Sequence, residues 1–157
     1  MTHKFLADEN VGKLAKRLRM IGYDALSING LDDNEVVRTA LKEGRVLLTK
    51  DNGIMQRRVV FNGKIKAIFI EADDVKAQLR QVVGALGLKP DSNPFSRCME
   101  CNEPLVPRTR EEVRGLVPPY VFKNHDQYMQ CPKCGRIYWR GTHWQRMNNE
   151  LASLMQR

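Results

Sequence analysis

No stretch of the 157-residue sequence approaches the ~20 consecutive apolar residues of a membrane span. The segment Met1–Asn10 meets its first acidic charge, Asp8, after only three apolar residues, Phe5-Leu6-Ala7, which is too short for the core of a signal peptide. Both absences predict a cytoplasmic protein with no membrane contact. There is no low-complexity tract, and no internal repeat beyond a paired C-x-x-C. Acidic charge is the minority: 18 Asp and Glu stand against 26 Lys and Arg, for a net charge of +8 and a pI near 9.5. That balance favours a polyanionic partner through counterion release and long-range steering. Cysteine is scarce, with four residues, and in a reducing compartment these are not expected to form disulfides. What remains, 42% hydrophobic and 28% charged residues, is the composition of a soluble globular chain of about one domain.

Four short, mostly apolar runs, Phe5–Ala7, Ala25–Ile28, Val46–Thr49 and Ala67–Ile70, have the character of strands buried on both faces of a parallel sheet. Helical spacing lies between them. Val11, Leu14, Ala15, Leu18 and Ile21 make one apolar stripe ahead of Gly22, and Val36, Val37, Ala40 and Leu41 make a second ahead of Gly44. Residues 51–58 leave room only for a short helix or loop, and Val75, Leu79, Val82, Val83 and Leu86 form a further amphipathic helix. The alternation predicts an α/β domain over residues 1–88 with right-handed crossovers. Residues 89–96, rich in Pro, Ser and Asn, read as a linker, and residues 97–157 as a second module. In that module a capping box, Thr109-x-x-Glu112, is expected to begin a short helix closed by Gly115. Another, Thr142-x-x-Gln145, is expected to begin a terminal helix with Trp144, Met147, Leu151, Leu154 and Met155 on its apolar face.

Acidic residues recur where the predicted strands end. Asp8 and Glu9 follow the first, Asp51 the third, and Glu71, Asp73 and Asp74 the fourth, while Asp32, Asp33 and Glu35 open the second helix. In a parallel α/β sheet these positions share the carboxyl edge, where such folds bind ligands. Taken singly, each is more commonly a helix cap than a ligand. Several converging there repel one another unless a cation neutralises them, and hard ions such as Mg²⁺ or Mn²⁺ take oxygen ligands of this kind. An acidic pocket on a basic protein suits phosphodiester cleavage, the positive surface holding the backbone. A response-regulator receiver domain shares part of this pattern. It also needs a hydroxyl residue ending a fourth strand and a lysine after a fifth, whereas Ile70-Glu71 ends the fourth here and no fifth is evident before residue 88.

Cys98-Met-Glu-Cys101 and Cys131-Pro-Lys-Cys134 have the spacing of two zinc knuckles, so four thiolates would close a tetrahedral structural Zn²⁺ site. A module this small is not expected to fold without the ion. A thioredoxin-like redox role is disfavoured because neither pair opens a helix within a βαβ unit. His125 could stand in for a cysteine, but four cysteines leave it as a loop residue. Beyond the second pair, Arg136, Arg140 and Arg146 interleave with Tyr138, Trp139, His143 and Trp144. Guanidinium groups for phosphates and aromatic faces for unstacked bases suit single-stranded RNA. The plainer role is packing, which the apolar helical partners of Trp144 favour, while Trp139 is open to either.

Lys4-Phe-Leu-Ala-Asp-Glu-Asn-Val11, Leu14-Ala-x-x-Leu18-Arg19, Gly22-Tyr-Asp24, Asp33-x-Glu35-Val36 and Gly44-Arg-Val-Leu-Leu-Thr-Lys-Asp51 resemble the PIN-like nuclease superfamily. Arg97-Cys-x-x-Cys-Asn102 and Cys131-x-x-Cys-Gly-Arg-Ile-Tyr-Trp-x-Gly-Thr-His143 narrow the resemblance to the Mut-seven C-terminal RNase domain, a PIN-like domain fused to a zinc ribbon, over residues 4–147. The resemblance implies a three-layer parallel sheet with helices on both faces, then the ribbon and a C-terminal helix. It implies a ribonuclease using Mg²⁺ or Mn²⁺, with Asp8, Asp33 and Asp51 as metal-binding acids and Glu35 as a further candidate. Among Glu71, Asp73 and Asp74 no spacing selects a fourth acid. Lys13, Arg17 and Lys50 are candidate phosphate contacts, with Arg136, Trp139, Arg140 and His143 on the ribbon for the RNA strand. Two rivals make different predictions: a non-catalytic RNA-binding or ribosome-associated adaptor binds RNA without need of metal, and a toxin poisons its host. The ribbon is a module that small PIN toxins usually lack.

Overall fold

The computed structural model describes residues 3–89 and 96–155, without the side chains of residues 151, 154 and 155. Most of the predicted linker, residues 90–95, lies outside the described residues, as do the side chains of Leu151, Leu154 and Met155, so their expected apolar face is not described. The four apolar runs form strands β1 (Lys4–Ala7), β2 (Asp24–Ser27), β3 (Val46–Thr49) and β4 (Ala67–Phe69), all parallel, in the order β2-β1-β3-β4. Alternate side chains leave a strand on opposite faces, and the two cores follow that parity. Phe5, Ala7, Ala25, Val46 and Leu48 face helices α1 (Gly12–Met20) and α5 (Val75–Leu86). Leu6, Leu26, Leu47 and Ala67 face α2 (Asp33–Glu43), α3 (Asn52–Met55) and α4 (Arg58–Phe61). The expected layering of helix, parallel sheet and helix is therefore present.

Local chemistry ends the helices. Gly44 and Gly87 both adopt the left-handed conformation at φ 63°, closing α2 and α5, as a residue without Cβ does at little cost. Three details differ from the sequence reading. Leu41 is 47% exposed, because it lies at the border of the stripe set by Val36, Val37 and Ala40. Ile28 falls just past β2 and is exposed, the strand beginning one residue earlier than expected. Residues 52–61 wind into the two single-turn helices α3 and α4.

The second module is a three-stranded antiparallel sheet, β5 (Val106–Arg108), β6 (Tyr128–Gln130) and β7 (Ile137–Trp139), in that order. Pro107 is tolerated because β5 is an edge strand. The Thr109–Glu112 capping box forms in both directions, at 2.9 and 3.2 Å. It opens only a short 3-10 turn, Glu111–Val113, and a helix not anticipated from sequence, α6 (Pro119–Asn124), follows with proline in its first turn. The terminal helix α7 (Thr142–Met155) has Gly141 rather than Thr142 at its cap, since the Gln145 N–H donates to the Gly141 carbonyl at 3.0 Å. Met147 of α7 is buried in the core of the first module. Glu150 bonds Arg17 on α1 at 2.6 Å and lies 3.4 Å from Lys76 on α5.

The two modules meet at the free edge of β2. The Asn102 side chain acts there like a peptide unit: its oxygen accepts the Ala25 N–H at 3.0 Å and its amide donates to Asp24 at 2.7 Å. Asp24 is also bonded by Arg45 at 2.8 Å. Arg19, buried beneath, donates to the carbonyls of Ala25 and Met99, both at 2.7 Å. The first knuckle thus covers an edge that would otherwise offer unpaired backbone groups.

Candidate functional site

The side on which successive strands are added reverses between β1 and β3: β2 lies to one side of β1, and β3 and β4 to the other, all four strands running parallel. Helices leave such a point on opposite faces and open a crevice at the carboxyl edge. Asp8 follows β1 directly, and its N–H donates to the Leu48 carbonyl at 2.9 Å, which keeps it against β3. Its Oδ1 accepts the Glu9 N–H at 2.8 Å, and its Oδ2 accepts the Thr49 hydroxyl at 2.8 Å. The same hydroxyl oxygen accepts the Asp51 N–H at 2.9 Å. Asp51 caps α3 through Oδ1, which takes the N–H groups of Gly53 at 2.7 Å and Ile54 at 3.3 Å. Fully buried Thr49 therefore links the Asp8 carboxylate to the backbone of Asp51 at this edge of the sheet.

Asp33 and Glu35 sit in the exposed first turn of α2, at the same edge of the sheet; the cap itself is Asp32, which accepts the Glu35 N–H at 2.9 Å. Among the described residues, these carboxylates do not form a group of three ligand atoms within 4.8 Å of one another. Asp8 and Asp51 each give one oxygen to backbone N–H groups, the role that Asp and Asn commonly fill at helix starts. The donor set still fits Mg²⁺ or Mn²⁺. Such ions keep several waters and take only one or two carboxylates together with substrate phosphate.

The cations divide. Lys13 is exposed on α1. Arg17 is engaged with Glu150. Lys50 bonds Asp73 at 2.8 Å and holds that carboxyl below its usual range, but Asp73 is wholly exposed, so the pair is weak. Asp74 caps α5, and Glu71 is exposed with its N–H bonded to Gln81 at 3.2 Å. Neither is drawn toward Asp8 or Asp51 by a hydrogen bond among the described residues.

The four cysteine sulfurs all lie within 4.8 Å of one another, the only such cluster of three or more ligand groups among the described residues. The two knuckles match bond for bond. Cys101 N–H and Cys134 N–H each donate to the first sulfur of their pair at 3.4 Å. Asn102 and Gly135 turn back on the Cys98 and Cys131 carbonyls at 2.9 Å, with φ of 64° and 80°. Zinc–sulfur bonds of ~2.3 Å in a tetrahedron put the sulfurs ~3.8 Å apart; Cys98 and Cys134 are 3.7 Å apart. Tyr138 accepts the Met99 N–H at 3.1 Å, which turns its hydroxyl toward the Cys98 sulfur, 3.3 Å away. Burial opposes ionisation of the Cys98 thiol, yet Tyr138 and the Cys101 and Glu100 amides bring it down to about 7. Burial and the Cys134 and Cys131 sulfurs push Cys101 up to about 12. Four sulfurs this close cannot all ionise without a cation among them, so the donor set fits Zn²⁺.

On the ribbon, Arg136, Arg140 and His143 are exposed. Trp139 is half-buried against Val113, Val117, Val121 and Tyr128, and Arg140 lies 5.1 Å over the Trp144 ring. Two features escaped the sequence reading. Thr49 carried one signal, a hydroxyl at a buried strand end two residues before Asp51. Asn102 and Asp24 stood in the motifs, but nothing in a linear sequence pairs them.

The family model described as the Mut7-C RNAse domain matches residues 3–151. No curated protein and no solved structure matches the chain. No described helix is long and apolar enough to cross a membrane.

Proposed function

The chain belongs to the Mut7-C RNAse domain family, a nuclease-type domain, and on that premise we propose that it is a cytoplasmic, metal-dependent ribonuclease that hydrolyses phosphodiester bonds in single-stranded RNA. The observation that carries the reading is the Asp8–Thr49–Asp51 link at the point where the strand order reverses. Asp8 and Asp51, with Asp33 and Glu35 from the start of α2, would hold Mg²⁺ or Mn²⁺. When bound, such an ion supplies charge for the phosphate oxygens and lowers the pKa of an attacking water.

The chain's own residues prepare the rest. Thr49 fixes the Asp8 carboxylate by donating to it, so that its orientation does not depend on substrate. Lys50, on the adjoining turn, exchanges exposed Asp73 for a phosphate oxygen, and Lys13 adds positive charge on α1. The ribbon, held to β2 by Asn102 and to α1 by Glu150, gives the strand a second, fixed surface.

A catalytically inactive RNA-binding adaptor is the second reading, favoured by the capping duties of Asp8 and Asp51. The deciding experiment is cleavage of end-labelled single-stranded RNA by zinc-loaded protein with Mn²⁺, with Mg²⁺ and with neither. Asp8→Asn and Asp51→Asn are assayed alongside. Cutting that requires the added metal and is lost in both variants supports the nuclease, and the fragment ladder gives its polarity. Binding without cutting in every arm supports the adaptor.

A further inference from the structure

Two cavities lie on the ribbon, and no carboxylate of the proposed nuclease centre lines either. One, of about 490 Å³, is walled by the rings of Tyr120, His125, Tyr138, Trp139, His143 and Trp144. The other, of about 430 Å³, shares Tyr138, Trp139 and Trp144 with it and adds Arg108 and Arg140. The shared rings make the cavities neighbours across one aromatic wall. Both volumes are in the range that takes a small flat molecule.

The wall is built to stay in place. Trp139 rests on the apolar cluster of Val113, Val117, Val121 and Tyr128. The chain passes it as glycine: a Cβ at Gly141 would stand 2.9 Å from the indole nitrogen. Tyr138 is anchored by the Met99 N–H and the Cys98 sulfur. Tyr120, by contrast, is 69% exposed at the rim.

Charge completes the pattern. Arg136 and His143 border the first cavity, and Arg136 makes no ion pair or side-chain hydrogen bond among the described residues. The acidic group there, Glu100, is already paired with Lys16 at 3.3 Å. Arg108 and Arg140 border the second cavity, opposite Asp126. An occupant that alternates flat apolar faces with negative charge matches recessed rings with a cationic rim. Single-stranded nucleic acid has that form, whereas a duplex hides its base faces.

We propose that the two cavities flanking Trp139 and Trp144 are a base-binding subsite for single-stranded RNA, seating unpaired bases on either side of the aromatic wall with Arg136 and Arg140 on the intervening phosphates. The choice of polymer rests on the nuclease reading, but the subsite is independent of the carboxylates. It holds the strand on the ribbon while the sheet edge acts on it elsewhere.

Trp139 and Trp144 are the chain's two tryptophans, so selectively excited tryptophan emission reports on this wall alone. The experiment titrates zinc-loaded protein with single-stranded oligouridylate, an abasic ribose-phosphate strand and duplex RNA of equal length, without added Mg²⁺ or Mn²⁺. The oligouridylate is expected to quench emission saturably, and the other two at least ten-fold more weakly. Tyr120→Ala with His143→Ala, both at exposed positions, is expected to weaken binding about ten-fold or more, in keeping with the loss of base stacking, with the fold of the variant checked by circular dichroism. Arg136→Ala is expected to lower the salt dependence of binding. Asp8→Asn is expected to titrate like wild type even if it no longer cuts, which separates this subsite from the nuclease centre. Equal binding of the abasic strand, or wild-type affinity in the double variant, overturns the proposal. So does unchanged emission under oligouridylate, which would leave the apolar cavities to a protein partner.

Discussion

Replacing Asn102 with alanine tests how the two modules are joined. The substitution removes the acceptor of the Ala25 N–H at 3.0 Å, a neutral hydrogen bond contributing about 1 kcal/mol. It also removes the donor to Asp24 at 2.7 Å, a bond to a charged group contributing about 1.5 kcal/mol at the lower end of its range, appropriate because Asp24 is partly exposed. The backbone at position 102 has φ 64°, a region that Asn occupies far more readily than other residues with a Cβ and where alanine costs about 1 kcal/mol more. Together these predict a loss of about 3 to 4 kcal/mol for Asn102→Ala, and about 1 kcal/mol less for Asn102→Gly, which keeps the turn but not the bonds. The assay is urea unfolding of zinc-loaded protein followed by far-UV circular dichroism, with transfer of zinc to a chromogenic chelator timed in parallel. Because Asn102 adjoins Cys101, both variants are expected to release zinc faster than wild type. A loss below about 1 kcal/mol for Asn102→Ala would refute the reasoning, as would a glycine variant no more stable than the alanine one.

Two further outcomes follow from the same contacts. Burial alone would raise the Asp24 carboxyl, but hydrogen bonds from Arg45 and Asn102 hold it below its usual value. A depressed folded-state pKa contributes stability that is present above the unfolded value of ~3.9 and is lost as the pH falls through the lower folded value. The gap in urea midpoint between wild type and Asp24→Asn should therefore be constant near neutrality and close in strongly acid solution; a gap independent of pH contradicts this. Stripping zinc should collapse hydrogen-exchange protection across β6 while β1 and β3 keep most of theirs, since folding of a module this small is expected to depend on a metal held by its four cysteines, whereas the parallel sheet has cores of its own. Full protection of β6 without zinc would show that the ribbon needs no ion.

The first module was legible because burial on both faces leaves a short apolar run for each parallel strand, and because Gly44 and Gly87 mark helix ends by their backbone freedom. The ribbon's strands were not legible. Each is three residues long, β5 contains Pro107, and their pairing follows from the knuckles rather than from periodicity. Helix α6 opens on Pro118-Pro119, a pair that reads as a break and in fact pre-forms the first helical turn. That Asp8 and Asp51 follow β1 and β3 was legible from the apolar runs before them, but the orientation of their carboxylates was not, because a carboxylate can serve a backbone N–H and a cation from the same position. The bridge through Thr49 and the clamp of Asn102 on β2 join residues far apart in the chain, a relation that one sequence does not contain.

The central claim is that the carboxylates at the point where the strand order reverses are a metal-dependent nuclease centre. The most direct measurement is Mn²⁺ binding by electron paramagnetic resonance on zinc-loaded wild type, Asp8→Asn and Asp51→Asn, with RNA cleavage followed in the same samples. The account predicts saturable Mn²⁺ binding by wild type that rises together with cleavage, and loss of both in each variant while zinc content is unchanged. Variants that bind Mn²⁺ and cut RNA as wild type does would contradict it.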